Sequence, residues 1–355
     1  MECSEKPIWK TLKVEQPDAV IEQQIRKNWD QIAKPIDGLG KFEEVIAKIG
    51  AIQRTTVPDL RKKAILIFCA DNGVVEEGIS QSGQEVTTMV MKNMAKQSSS
   101  VGKMARCCGI ETIPIDIGVN TNEIIDGVLE RKIRLGTRNF FQEPAMTEEE
   151  TLQAISTGIK LVEECKKQGY SLLGTGEMGI GNTTTSSAVA SALLSSEVHE
   201  MTGRGAGLND SKLERKYQVI QEALDHYGLW EADSFRILQT VGGLDLAGLV
   251  GMCMGGALYH IPIVLDGVIS LAAALTAERL LPGTKDYLFG SHRGKEPAME
   301  RLWKALALDP VIDGNLALGE GTGAVMMMGL LDMAYTVYTT GTRFSEIELE
   351  PYKRG

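Results

Sequence analysis

Histidine is scarce. The chain carries four, and none stands in an HxxxH or HExxH pair, which excludes the common zinc-hydrolase signature. Cysteine is also sparse. The six (Cys3, Cys69, Cys107, Cys108, Cys165 and Cys253) show no CxxC spacing. The adjacent pair Cys107–Cys108 suits neither a zinc site nor an unstrained disulfide. No secretory pattern opens the sequence, so these residues are expected as reduced thiols in a cytoplasmic protein. A long uninterrupted apolar run is missing too. The longest, residues 241–269, is broken by Gly242, Gly243, Asp245, His260 and Asp266, and no membrane span is expected. Positive charge is not in excess: the net charge is −10, which argues against a nucleic-acid surface.

Glycine, in contrast, is abundant. There are 38 in 355 residues, against roughly 7% in an average protein. Only 11 prolines accompany them and no Gly-X-Y period appears, so the chain is neither collagen-like nor a flexible Gly/Pro tract. With 43% hydrophobic and 24% charged residues, it can bury a substantial core. The glycines therefore serve backbone geometry, and their positions carry the information.

Residues 1–60 are helix-prone. Val20, Ile21, Ile25, Trp29 and Ile32 share one helical face, and Phe42, Val45, Ile46, Ile49 and Ile52 share another. Short apolar runs follow, at residues 64–70, 112–119, 131–137, 170–176, 261–267 and 286–292, each read as a strand. Helices are expected between them. One covers residues 85–108, one opens on a Thr147/Glu150 capping box, and others cover 183–194 and 268–280. A last helix spans 323–340. This alternation predicts an α/β fold with a mostly parallel sheet flanked by helices. The helical start and end are expected to pack together as a small helical domain. The expected division is 1–60 for its N-terminal part, 61–325 for the large catalytic domain and 326–355 for its C-terminal part.

Ten of the glycines fall in three short windows. The first, "GTGEMGIGNTTT" from Gly174, leaves a strand and opens a helix. Its backbone N–H groups, with the helix dipole, can cradle a phosphate. The order is GxxGxG rather than the dinucleotide-binding GxGxxG, and Glu177 sits inside the turn. The second, "TGRGAG" from Thr202, is a flexible loop in which Arg204 offers a counter-charge. Lys216, on the helix after it, is a solvated charge or a phosphate ligand. The third, "LGEGTG" from Leu318, isolates Glu320 between glycines. A carboxylate projecting into an apolar pocket is raised in pKa and suits a general base. Ser80 and Gln84 follow the first strand, on the side where parallel sheets bind ligands. His292 follows the last strand on the same side.

"GEMGIGNTTTSSAVASAL", "TGRGAGL", "VGGLDLAGLVG" and "LGEGTGA" occur in this order at residues 176, 202, 241 and 318. Together they resemble the nicotinate-nucleotide:dimethylbenzimidazole phosphoribosyltransferase family over about residues 20–345. The resemblance implies transfer of phosphoribose from nicotinate mononucleotide to an aromatic lower-ligand base of cobamides, giving an α-ribotide. It implies Glu320 as general base and Glu177 beside the ribose. The backbone of Gly176, Met178, Gly179, Ile180, Gly181 and Asn182 would hold the 5′-phosphate with Gly203, Arg204, Gly205 and Lys216. Ser80 and Gln84 would lie near the base, and Leu318 and Gly319 would also contact substrate. No cofactor or metal is implied, and the family forms dimers.

The chain departs from the family pattern at Asn72, at Ser82-Gly83, at Gly294 and at Ala317. The expectation is that these positions surround the ligand site and alter base specificity. A phenolic acceptor such as phenol or p-cresol is one such variant. That variant admits a heterodimer with a paralogous subunit beside a homodimer. The alternative reading is a non-catalytic subunit of such a heteromer; retention of both Glu177 and Glu320 argues against it. A nicotinamide-dependent dehydrogenase is remote, because "CADNGVV" after the first strand lacks GxGxxG.

Overall fold

The computed structural model describes residues 12–354. Six parallel strands form the main sheet, in the order β3-β2-β1-β4-β5-β6. They are β1 (Lys63–Ala70), β2 (Glu111–Gly118), β3 (Leu129–Glu130), β4 (Leu172–Met178), β5 (Ile263–Leu265) and β6 (Leu288–Gly290). A separate parallel pair, β7 (His292–Gly294) and β8 (Ile312–Leu316), was not expected. Its residues include Arg293, Asp313 and Asn315, so no apolar run announces it.

Every residue of β1 is buried. Its side chains alternate between two cores. Leu66, Phe68 and Ala70 join one; Ile65, Ile67 and Cys69 join the other. A central parallel strand covered on both faces needs apolar residues at every position, which explains the unbroken "AILIFCA". The third expected strand, residues 131–137, is displaced. The ladder is confined to Leu129–Glu130, and Arg131, Ile133 and Gly136 follow it as an irregular edge, donating N–H bonds to Asp116, Ile117 and Gly118. Helix 85–108 is in fact two, Glu85–Ala95 and Ser100–Cys107. Gln97 turns left-handed between them (φ 56°), and Ser99 caps the second by accepting from Gly102 N. The expected capping box is present: Thr147 Oγ1 accepts from Glu150 N at 3.1 Å, and Glu150 Oε2 from Thr147 N at 2.7 Å.

Helix Leu244–Tyr259 is buried along almost its whole length. It lies against helix Glu148–Lys167 at backbone contact. A Cβ on Gly158 would stand 2.1 Å from Gly248 O, and one on Gly251 would stand 2.0 Å from Ile155 O. Neither backbone can yield, because each is fixed by its own helix. Gly251→Ala is therefore expected to destabilise the fold by about 3 kcal/mol, the cost of overpacking. A urea midpoint equal to that of the unaltered chain would contradict this close approach.

The terminal segments meet. The Trp29 and Tyr338 rings lie 4.9 Å apart, and Ala33 N donates to Thr342 O at 2.8 Å. Ile25, Ile46, Ile49 and Ala324 share a core with Ile65 and Ile67 of β1. Cys69, Cys107, Cys108, Cys165 and Cys253 are free thiols; Cys3 lies outside the described residues. Among the described residues no helix is long and apolar enough to cross a membrane.

Candidate active site

The carboxyl ends of β1, β4, β5 and β6 point to one side of the sheet, and a cavity of about 280 Å³ opens there. All three glycine windows reach it. Met178, Gly179, Ile180, Gly181, Asn182 and Glu177 line it after β4. Arg204 and Gly205 line it from the second window, and Leu318, Gly319 and Glu320 from the third; Ser80 also contributes. The windows touch one another. A Cβ on Gly205 would lie 2.8 Å from Thr183 Oγ1, and one on Gly319 would lie 2.8 Å from Glu177 Oε1. Glu320 N donates to Glu177 Oε1 at 3.4 Å, across 143 residues of sequence.

Glu320 stands in a turn of unusual backbone. Gly319 (φ 80°), Glu320 (φ 61°) and Gly321 (φ 93°) are three successive left-handed residues. Glycine takes this conformation at little cost; glutamate does not. The turn is held from beneath by Asp266, which follows β5 and is 1% exposed. Its Oδ2 accepts from Gly321 N at 3.1 Å and its Oδ1 from Gly323 N at 2.7 Å, which also caps the helix Thr322–Thr340. Burial raises the Asp266 pKa, while the neighbouring His292 and the three backbone N–H donors oppose the shift. Burial likewise lowers that of His292, against the attraction of Asp266. Glu320 Oε2 is buried with no hydrogen-bond partner, and burial raises its carboxyl, opposed by the Val101 N–H and helped by the charge of Asp266. A carboxylate so placed is a strong proton acceptor.

Glu177 is buried at the end of β4, where Phe68 of β1 pairs with it. Asn182 Nδ2 donates both to Glu177 Oε2 and, at 3.1 Å, to Asp245 Oδ2. Burial pushes Glu177 up to about 8, against the Asn182 bond and helped by the charges of Asp245 and Asp266. Burial also pushes Asp245 up to about 6. An acid held mostly neutral at neutral pH favours any cation that enters beside it, since the cation restores its charge.

Four expected site residues do not line the cavity. Gly176 is inside β4, its Cα against Glu320 O; a Cβ there would lie 2.9 Å from that oxygen. Gly203 is buried behind its loop. Lys216 is neither solvated nor at the cavity wall. It is 0% exposed, donates to Thr183 Oγ1 at 3.0 Å and to Gly203 O at 3.2 Å, and burial pulls it down to about 8. Gln84 faces away: its Nε2 donates to Asn72 O and its Oε1 accepts from Asn120 Nδ2. Arg204 lines the cavity, but its guanidinium also pairs with Asp210 at 2.5 Å.

The departures from the family pattern are not equally close. Ala317 lines the cavity; Asn72 and Ser82-Gly83 do not. Gly294 is tied to Met299, which does line it. A Cβ on Gly294 would stand 2.6 Å from Met299 Sδ and 2.8 Å from Leu316 O. The sequence did not single out Asp245, Asp266, Lys295, Glu296 or Met299 as site residues. Asp245, Asp266 and the segment from Lys295 to Met299 lie far apart in sequence, and only the fold gathers them.

The family model described as phosphoribosyltransferase matches residues 14–348. A nicotinate-nucleotide–dimethylbenzimidazole phosphoribosyltransferase of Acetivibrio thermocellus is 41% identical over 329 residues, which cover 93% of this chain and 94% of that one. This chain belongs to that phosphoribosyltransferase family. A relative of the same name from Clostridium acetobutylicum is 40% identical over 336 residues, covering 95% of this chain and 96% of its own. The crystal structure of CobT from Thermus thermophilus superposes with a TM-score of 0.88 at 36% identity, covering 94% of this chain and all of that one. The α/β sheet expected from the sequence is the family's fold, and the chain is a phosphoribosyltransferase.

Proposed function

We propose that this enzyme moves phosphoribose from nicotinate mononucleotide to an aromatic acceptor, dimethylbenzimidazole or a phenol, for the lower ligand of a cobamide. The observation that carries the reading is the pair Glu177 and Glu320. Glu177 lies at the end of β4 and Glu320 in the turn after β8, yet the two share one hydrogen bond and line one cavity between glycine loops. Both carboxylates at one site also argue against a non-catalytic subunit.

The reaction needs no covalent intermediate. The C1′–N bond breaks with its electron pair passing to the pyridinium nitrogen, which becomes neutral and leaves as nicotinate. The acceptor's nitrogen or oxygen bonds C1′ from the opposite face, so a β-ribotide gives an α-ribotide. Its proton passes to Glu320. Positive charge on the ribose grows as the bond breaks, and the Glu177 carboxylate stabilises it in a site of low dielectric. The glycine backbone after β4, with Gly205 and the buried Lys216 behind it, serves the 5′-phosphate. Apolar side chains in the cavity wall, including Val268, Ile269 and Met299, suit a flat aromatic ring.

Incubation of the purified chain with nicotinate mononucleotide and a panel of benzimidazoles, purines and phenols is expected to release nicotinate with at least one acceptor. No release with any of them sinks the reading for this chain acting alone. The same reading includes a cytoplasmic enzyme of two subunits, identical or paralogous. Met326, Met333 and Val337, exposed on one face of the helix Thr322–Thr340, support an assembly.

A further inference from the structure

Glu296 lies between β7 and the helix Ala298–Leu306, and its carboxylate reaches into the second glycine window. Its Oε1 accepts from Gly205 N at 3.1 Å. Its Oε2 presses on Gly203, where a Cβ would stand only 2.1 Å from it. Behind the same loop is the Lys216 ammonium, which donates to Gly203 O and Thr183 Oγ1. Glu296 is the acidic neighbour that favours the charged form of that buried lysine. A main-chain N–H, alternating glycines and a buried ammonium make an anion site. The anion at its edge is a side chain of the protein itself.

We propose that Glu296 is a built-in competitor for the phosphate subsite, and so a determinant of which anions the enzyme accepts. This rests on the phosphate assignment above. Two anions cannot share the Gly205 N–H, and at this distance they repel. Entry of a phosphate monoester therefore turns Glu296 outward. Room exists, because Glu296 is half-buried and its neighbours Lys295 and Pro297 are exposed. With the site empty, the carboxylate compensates the Lys216 charge and holds the loop. Weakly coordinating anions do not displace it. A dianionic phosphate, with more oxygens and more charge for the same donors, does.

The test is calorimetric titration of inorganic phosphate into the unaltered enzyme, Glu296→Gln and Glu296→Ala, together with KM for nicotinate mononucleotide and for nicotinate riboside, which lacks the phosphate. Both variants are expected to bind phosphate on the order of tenfold tighter, as an opposing charge is lost. KM for the mononucleotide falls in parallel, and KM for the riboside stays put. Unchanged or weaker phosphate binding by both folded variants, judged by circular dichroism, overturns the proposal. Lys216→Met separates it from the reading beneath. If that variant still binds phosphate normally, the phosphate assignment fails. If it loses phosphate while the Glu296 variants gain nothing, only the competitor role fails.

Discussion

Glu320→Gln is expected to lower kcat by roughly 10²–10⁴, with KM for nicotinate mononucleotide within about threefold of the unaltered value. The substitution is isosteric, so neither a cavity nor a steric clash enters. What it removes is a proton acceptor. The carboxylate has a buried oxygen without a partner, is raised in pKa by burial and is presented by a left-handed turn that Asp266 pins. A glutamine in the same place can accept a hydrogen bond but not a proton. The loss should therefore depend on the acceptor. Acceptors already ionised at the assay pH, such as nitrophenols, need no base, and with them the deficit shrinks. A variant that keeps the unaltered kcat with every acceptor removes Glu320 from the chemistry.

The second large effect belongs to Glu177. Its carboxyl is raised to about 8, so in the free enzyme it is mostly protonated at neutral pH and ionises as pH climbs through 8. In the proposed mechanism the ionised form is the one that stabilises positive charge on the ribose. It follows that kcat/KM should rise with pH toward about 8. Lys216, lowered to about 8, sets the opposite limb, because its ammonium must be charged to face a phosphate. The profile is thus a narrow bell centred near pH 8. Glu177→Gln should lower kcat about 10²-fold, the scale of one lost electrostatic contact at a transition state. It should also flatten the acid limb and leave the alkaline limb in place. The pyridinium of bound nicotinate mononucleotide favours the carboxylate, so the kcat profile should begin to rise at lower pH than kcat/KM. An acid limb unchanged in the variant would assign that limb to another group, with Asp245, raised to about 6, the next in reach.

Much of the fold can be read from local pattern. The fully apolar run of β1, the Thr147 capping box and the helix at residues 268–280 each rest on neighbours a few positions apart. So do the glycine windows, since left-handed turn residues favour glycine, as at Gly181, Gly205, Gly207, Gly319 and Gly321. Glu320, the exception between two glycines, was legible for that reason. The break between residues 95 and 100 was not, because Gln97 is left-handed without being glycine.

Residue order was enough for the parallel α/β architecture and the family, and it pointed to two carboxylates that the fold brings to one cavity. What those carboxylates experience was settled by the folded chain alone. Glu177 and Glu320 meet across 143 residues, Asn182 reaches Asp245 across 63, and Glu296 reaches Gly205 across 91. Desolvation and hydrogen bonding act through space, so no local pattern encodes them. That is why Lys216, which reads as a surface charge on a helix, is buried beneath the glycine loop. It is also why Gln84, adjacent in sequence to the ligand side, turns to Asn72 and Asn120 instead.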